Sequence, residues 1–502
     1  MVNLPNLFSL DMHRCKPKGL WVKPPLGCIK LNIDGSSLGN SGPAGIGGVF
    51  RDSCGNTLLS FAGAIGVATT NSAELQALFK GYRVRGGSAY SLQMAIAEDR
   101  ISELPTEIIL MILSMLTIRE AARTSVLSRR WRSSWTSIPA LNFVPDTAYS
   151  YSCHWANIVD SVLSRHRGPI SAFRLDRIIW CSCEDIDRWL SIVSSRGIED
   201  LAIDFYDQYL PYKVHPSFFS CSSLVSIDLT SCKLEMPTDF EGFKFLKFLS
   251  LKTVALTDTI LQTIVSMSEN LEDLTLIDCE GLRNIKIIST SLLNFHLFGV
   301  FSELDLSGSL NIKDLFINWD DDGNGVWPLR QIINGLTKLE SLSVTGFRLY
   351  SFYERSADGG NGGLPTIYNF LQEFEIHLNC MEVSEIMGLV CLLKKFPNLN
   401  ALCLKDYEEE LQPEGKLTKT NLETLNSDAM SCLAQLKKLK LVLATHCDET
   451  LDIIEFFLLN AGVLDEFFIK IGSLQNQEEK SKVAERLDSF PKASPEAKII
   501  FS

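Results

Sequence analysis

The segment LNIDGSSLGNSGPAGIGG at residues 31–48 carries the aspartate best suited to metal chemistry. Asp34 ends an apolar run and a glycine-rich hairpin follows it, an arrangement that often displays a carboxylate to a divalent cation. Apolar runs separated by Gly, Asn and Ser predict β-strands over residues 22–65, and NSAELQALFKGYRV at 71–84 predicts a helix. These elements would hold Asp34 in place.

Other groups of potential metal ligands are incomplete. DDDGNG at 320–325 matches the first half of an EF-hand loop, but Gln331 stands where the loop needs a bidentate glutamate. CSC at 181–183 and the pair Cys153 and His154 lack a second ligand pair at zinc spacing. GPAGIGGVF at 42–50 lacks the third glycine of a dinucleotide-binding motif. We therefore expect no metal ion and no cofactor.

Charge and cysteine content narrow the class of protein and its compartment. The 502 residues have a net charge of −13, and residues 1–97 hold nine Lys/Arg against four Asp/Glu, so the acidic excess lies downstream. An acidic bulk argues against the whole protein being a nucleic-acid binder, whereas the basic N-terminal part could be one or a relic of one. The longest apolar stretch, at 108–116, is far shorter than the roughly 20 residues of a membrane span. The 14 scattered cysteines and the lack of a secretory signal predict reduced thiols in cytoplasm and/or nucleus.

Residues 99–141 are dense in arginine and tryptophan, and their pattern predicts helices throughout. In LPTEIILMILSML, positions 104, 108, 109, 112, 113 and 116 form one apolar stripe, and Leu110, Met111 and Met115 make the other side apolar too. A short helix that is apolar all round must be covered on both sides. Its own domain can cover one side and a partner the other.

Two signals follow that helix. Thr117 and Glu120 have the spacing of a capping box and predict the start of a second helix. Trp131 and Trp135 lie four residues apart, which predicts that they share one face of a further helix.

From residue 198 onward a unit of the form apolar-x-x-apolar-x-apolar occurs eleven times, with first positions 20 to 37 residues apart. This period predicts a leucine-rich repeat solenoid, in which each strand buries its apolar side against its neighbours. The irregular stretch at 406–430 is expected to form loops, and the polar residues from 473 onward a partly disordered tail.

The stretch at 99–143, with its Leu-Pro, Glu-Ile, Ile-Leu-Ser-x-Leu and TSVLSRRWRxxWTSIP patterns, resembles the F-box of plant F-box/LRR proteins. Residues 436–472 further resemble the FBD region of that family. The resemblance implies an α/β fold in which a small three-helix F-box precedes the leucine-rich repeat solenoid. It also implies a set of residues facing a Skp-type adaptor: Leu104, Pro105, Ile109, Ile112, Leu113, Leu116, Val126, Ser128 and Trp131.

The same resemblance implies a non-enzymatic role. The chain would be the substrate receptor of a Skp–cullin–F-box ubiquitin ligase, linked to a cullin through the adaptor. Its repeats would hold an unidentified target protein, so that ubiquitin meets a nearby lysine. The exposed face of a repeat array suits target binding. The candidate target-binding residues are the central outward positions of seven units: Asp228, Ser250, Thr275, His296, Phe316, Ser343 and Glu375.

Residues 22–84 resemble a second family, the plant RNase H-like domain of retroelements. In that α/β fold a ring of carboxylates holds two divalent metal ions. By motif, Asp34 matches the aspartate of the first strand and Glu74 the glutamate of the first helix. The next acidic position should fall within residues 82–97, which contain no Asp or Glu. We therefore interpret Asp34 and Glu74 as vestiges of a truncated domain. Nucleic-acid binding or cleavage of RNA–DNA hybrids by this segment is the alternative function.

The predicted organisation follows from these patterns. An N-terminal segment covers 1–21, the partial RNase H-like domain 22–84, a junction 85–98 and the F-box 99–145. A helical linker with the first repeats covers 146–197, the repeats with their FBD-like part 198–472, and the tail 473–502.

Overall fold

The computed structural model divides into two compact units, Met1–Asp176 and Arg177–Ser502. The residues that it describes are 30–37, 42–68, 73, 76–77, 104–126, 129–144, 155–176, 181–205, 211–319, 329–346, 349, 367–380, 382–406, 417–444, 448–472 and 477–501. Several predicted features lie outside these residues: the segment 1–21, the junction 85–98, the DDDGNG motif, and Cys153 with His154.

The first unit contains an antiparallel sheet with the strand order β1-β2-β3. The strands are β1 Lys30–Ser37, β2 Gly42–Arg51 and β3 Thr57–Ala68. Ala44 and Ile46 of β2 form a small core with Ala73 and Ala77, which follow the sheet in the chain. Ala73 and Ala77 are helical, and the rest of the helix expected at 71–84 lies outside the described residues except Gln76. The sequence therefore predicted these three strands.

Short helices follow in the same unit, as residues 99–141 predicted. They are α1 Thr106–Ser114, α2 Ile118–Arg123, a 3-10 turn Thr124–Val126, α3 Arg129–Ser134 and a 3-10 turn Trp135–Ser137. The capping box of α2 is formed, because Glu120 N–H donates to Thr117 Oγ1 at 3.3 Å and Thr117 N–H donates to Glu120 Oε2 at 3.1 Å. Trp135 lies beyond the end of α3, so it does not share the helix of Trp131.

The expectation of helices throughout this stretch fails at its end. Strand β4 Ala140–Phe143 follows, then α4 Trp155–Arg165 and strand β5 Ala172–Leu175, which pairs in parallel with β4. Leu141 and Phe143 are buried, and the Phe143 ring packs edge-on against Phe173 at 5.7 Å between centroids. The alternation of buried and half-buried residues in ALNF is the strand period of two.

The second unit is α/β and built on parallel strands that are neighbours in chain order. These strands are β6 Asp200–Asp204, β8 Ser226–Thr230, β10 Phe248–Lys252, β11 Asp273–Ile277, β13 Asn294–Gly299, β15 Asp314–Trp319, β16 Ser341–Thr345, β17 Glu373–Leu378, β18 Ala401–Asp406, β19 Lys438–Leu443, β20 Glu466–Ile471 and β21 Lys498–Phe501. Two short parallel pairs lie apart from them: β7 Tyr212–Lys213 with β9 Cys232–Lys233, and β12 Asn284–Ile288 with β14 Glu303–Gly308.

Helices occur between these strands. They are α5 Cys183–Ser194, α6 Asp258–Met267, α7 Leu329–Ile333, α8 Val383–Leu393, α9 Lys419–Cys432, α10 Asp448–Asn460 and α11 Gln477–Asp488, with a 3-10 helix Pro216–Ser220. Each of the eleven repeat units includes one of the parallel strands. In each strand the apolar residues at alternate positions are buried, as Leu249 and Leu251 of β10 show.

Two expectations about irregular segments are wrong. Residues 419–432 form helix α9, with Leu422, Ala429 and Leu433 buried at helical spacing, where loops were expected. The tail contains helix α11 and strand β21, which pairs in parallel with β20. Its residue Ile499 lies opposite Phe467, so the tail extends the parallel strands by one.

Candidate functional site

Helix α1 has two apolar sides with opposite environments. Ile109 and Leu113 are fully buried, whereas Met111 is 44% exposed and Met115, the C-cap residue of the helix, is 60% exposed. The buried pair anchors α1 within the first unit. The two methionines present flexible, polarisable side chains to the surface, which suits docking against an apolar partner surface.

The predicted adaptor-facing residues occupy different depths. Pro105 is exposed and stands at the N-cap of α1, where its carbonyl accepts hydrogen bonds from the backbone N–H groups of residues 108 and 109. Leu104 and Ile112 are half-buried. Four others are buried, namely Ile109, Leu113, Leu116 and Trp131. The side chain of Val126 and all of Ser128 lie outside the described residues.

Met111 and Met115 were absent from the predicted adaptor-facing set, although the sequence marked them as apolar. They expose more surface than any apolar member of the buried stripe. The signal that identifies them is the all-round hydrophobicity of a helix only nine residues long.

The second candidate site is the outward face of the parallel strands. Register pairing places the seven candidate target-binding residues in one continuous row, each opposite the next: Asp228, Ser250, Thr275, His296, Phe316, Ser343 and Glu375. The row continues through Cys403, Lys440 and Phe468. All seven are half-buried, as expected for side chains standing between neighbours on a sheet. Whether they contact a target stays a prediction.

The charges on this face change sign along the strands. From β6 to β17 the outward positions carry one lysine, Lys252, and seven carboxylates: Asp200, Asp204, Asp228, Asp273, Asp314, Glu373 and Glu375. From β18 to β20 they carry Lys405, Lys438, Lys440 and Lys470, with Glu466 among them. Burial and the adjacent Glu199 raise the pKa of Asp200, consistent with crowding of like charges at the acidic end.

Ion pairs occupy some of these groups. Lys252 Nζ lies 3.2 Å from Asp228, and Lys405 Nζ donates to Glu375 Oε1 at 2.5 Å. His377 Nε2 is 4.0 Å from the same Glu375 oxygen. Burial and, secondarily, the charge of Lys405 lower the pKa of His377, which favours the neutral imidazole.

An aromatic group lies at the middle of the row. The rings of Phe298 and Phe316 stack with centroids 4.5 Å apart and planes 20° apart. His296 packs edge-on against Phe316 at 6.0 Å, and its Nε2 lies 3.5 Å from Asp314 Oδ1. These partly exposed rings, beside carboxylates, can bind a cationic group.

Only one of the two predicted nuclease carboxylates lies within the described residues. Asp34 is exposed on β1 opposite Gly47. It does not end its strand, which continues to Ser37 because β1 and β2 pair along their full length. The side chain of Glu74 lies outside the described part of the chain.

Among the residues that the structure describes, no three His, Cys, Asp or Glu side chains are grouped so that they could hold a metal ion. No helix among them is both long and apolar enough to cross a bilayer.

Three family models match consecutive parts of the chain. Residues 32–84 match the reverse transcriptase-like family, residues 101–141 the F-box domain, and residues 186–404 the LRR repeats of FBD-associated F-box protein At5g56370. These matches follow the same order along the chain as the RNase H-like and F-box/LRR resemblances that the motifs indicated.

Relatives from Arabidopsis thaliana match half or more of the chain. F-box/FBD/LRR-repeat protein At1g13570 is 28% identical over 81% of this chain and 99% of its own length. F-box/LRR-repeat protein At3g26922 is 30% identical over 50% of this chain and 77% of its own length. The solved N-terminal RNase H domain of rv2228c from Mycobacterium tuberculosis, fused to maltose binding protein, matches at 24% identity over 27% of this chain and 96% of that chain, with a TM-score of 0.14. This score is too low to support an argument.

The F-box match includes helix α1 with its exposed methionines, and the LRR match includes most of the row of outward residues. An RNase H-like fragment precedes both. The chain belongs to the F-box/FBD/LRR-repeat family.

Proposed function

We propose that this protein is the substrate-recognition subunit of a Skp–cullin–F-box ubiquitin ligase. The observation that carries the proposal is the pair of exposed methionines in the matched F-box segment, Met111 on helix α1 and Met115 at its C-cap. Members of this family are typically adaptors rather than enzymes. The chain would act by proximity, since tethering a target beside the ligase raises its effective concentration there.

The Skp-type adaptor would dock on α1. The methionines, Ile112, Leu104 and Pro105 offer the accessible apolar surface. The buried members of the predicted set, such as Leu113 and Trp131, would act by holding α1 in position. The adaptor would then connect the chain to a cullin.

The target would bind the outward strand face, where the row from Asp228 to Glu375 would contribute contacts. The parallel strands in chain order favour a solenoid for this part, and the three short α-helices favour a small F-box bundle. We also propose the domain boundaries that the sequence predicted, and a location in the cytoplasm and/or nucleus.

Co-purification with a Skp adaptor tests the proposal. The full chain should retain the adaptor, and the double variant Leu104→Ala/Pro105→Ala should retain less of it while unfolding at the same temperature. Failure of the folded wild-type chain to bind any Skp-type adaptor would overturn the proposal.

A further inference from the structure

Strand β16 carries only short outward side chains. They are Ser341, Ser343 and Thr345, which alternate with the buried Leu342 and Val344. The strands on either side, β15 and β17, carry larger outward residues at the paired positions. Because neighbouring strands lie about 4.8 Å apart, β16 is the floor of a slot roughly 10 Å wide between them.

One wall of this β16 slot is aromatic. Phe316 lies directly opposite Ser343 in the register. Phe298, on the far side of Phe316 from β16, stacks on one face of its ring. The other ring face is left toward the slot. A phenyl ring held in this way attracts a cation over its face.

Carboxylates flank the β16 slot at the N-terminal end of the strand. Asp314 and Glu373 are the register partners of Ser341 on its two sides. Glu373 is exposed and, within the described part of the chain, forms no side-chain hydrogen bond or ion pair. The Asp314 side chain is 44% exposed, and His296 Nε2 lies 3.5 Å from its Oδ1. No lysine among the described residues pairs with either carboxylate, so this part of the slot favours a positive ligand.

The strands that follow have the opposite charge. Lys438 and Lys440 are exposed on β19, three strands beyond β16 along the register. Lys440 Nζ lies over the Phe468 ring, 5.6 Å from its centroid. Lys438 Nζ is 3.8 Å from Glu466, a loose contact between exposed groups that leaves the lysine available.

We propose that the strand face recognises a target segment with charges of both signs. An arginine-type side chain lies in the β16 slot against Phe316, and an acidic side chain lies over Lys438 and Lys440. This inference rests on the proposed function, in which the strand face holds the target. Arginine fits better than lysine because its planar guanidinium stacks on a ring and can bind a carboxylate with two hydrogen bonds.

The geometry also sets a spacing. Three strand intervals of about 4.8 Å separate the slot from β19, and an extended peptide advances about 3.4 Å per residue. The basic and acidic residues of the target should therefore lie roughly four positions apart. A uniformly basic segment would meet the repulsion of the lysines, and a uniformly acidic one that of Asp314 and Glu373.

Selection of a displayed library of random nonapeptides on the purified full-length chain tests this inference. The expected result is enrichment of peptides with arginine about four positions from Asp or Glu. Glu373→Lys should abolish the arginine preference, and an enriched peptide should bind this variant at least five-fold more weakly. Replacing the peptide arginine by glutamate should restore binding to Glu373→Lys. The matched control Glu269→Lys, exposed and outside the strand face, should leave binding unchanged.

Enrichment of uncharged, uniformly basic or uniformly acidic peptides, or no enrichment, would overturn the inference. So would an equal loss of peptide affinity in Glu269→Lys. Adaptor co-purification separates this result from a failure of the proposed function. If the adaptor binds and no peptide with both charges is selected, the inference alone fails. If such peptides are selected and no adaptor binds, the proposed ligase role fails.

Discussion

Leu113, on helix α1, and Met115, the C-cap residue of that helix, lie two residues apart, and the first is fully buried while the second exposes 60% of its surface. This contrast separates two roles that one apolar helix can have. Leu113 holds the helix in its domain, and Met115 offers a surface for a partner.

Truncation of these two residues should therefore have different effects on stability. Leu113→Ala should lower the free energy of unfolding of the first unit by about 2–5 kcal/mol, because it removes buried methyl groups and leaves a cavity. Met115→Ala should change it by less than about 0.5 kcal/mol, since an exposed side chain loses little packing. Urea unfolding of both variants measures the difference, and equal losses would contradict the two-sided role of α1.

Gly346 should be intolerant of a side chain. Its φ is +86°, in the left-handed region, and an added Cβ would lie 2.1 Å from the carbonyl oxygen of Trp319. We expect Gly346→Ala to destabilise the second unit by roughly 1–3 kcal/mol, through backbone strain and this overlap. Gly462→Ala is the matched control, because nothing lies within 4 Å of its added Cβ. Thermal unfolding should show a lower Tm for the first variant and little change for the second.

His377 should make stability dependent on pH. Burial, with Lys405 second, lowers the pKa of His377 in the folded chain, so the unfolded chain binds this proton more readily. The neutral imidazole therefore makes its full contribution to the free energy of unfolding above about pH 6.5, the pKa of histidine in the unfolded chain. This contribution is lost as the pH falls toward the lower pKa of the folded chain. In His377→Gln, the free energy of unfolding should decrease less between pH 7 and pH 5 than it does in the wild-type chain. An unchanged pH profile would contradict this assignment.

The RNase H-like segment should show no nuclease activity. Asp34 is exposed on β1, but residues 82–97 supply no further carboxylate for a pair of divalent ions. Incubation with an RNA–DNA hybrid and Mg²⁺ should yield no cleavage above that of Asp34→Asn. Mg²⁺-dependent cleavage that is lost in Asp34→Asn would show an active site instead.

The eleven repeat units were predictable because each strand needs buried residues at fixed alternate positions, and the register row followed from the same period. Strand β21 was not predicted because its segment lacks the first apolar residue of the repeat pattern. Glu496 occupies that position, whereas the unit that contains β20 has Leu464 there. Helix α9 was missed because its polar sequence, KTNLETLNSDAMSC, buries few residues.

The candidate sites were predictable to different extents. The all-round hydrophobicity of α1 indicated a docking helix, but composition alone could not separate Met115 from Leu113, since helix rotation decides which side faces the core. The stacking of Phe298 on Phe316 depends on the pairing of β13 with β15, two strands separated by β14 in the chain. The repeat pattern implied that pairing. The sequence shows the short side chains of β16, but the slot above them depends on the larger residues of the paired strands β15 and β17.

Adaptor affinity of Met115→Glu tests the central claim most directly. Met430, on α9 of the second unit, is 61% exposed and provides a control of the same residue type and exposure. Isothermal titration of a purified Skp adaptor into each full-length variant should show at least ten-fold weaker binding for Met115→Glu, because a charge would be buried in an apolar interface, and unchanged binding for Met430→Glu. Wild-type affinity in Met115→Glu, or an equal loss in Met430→Glu, would contradict docking of the adaptor on helix α1.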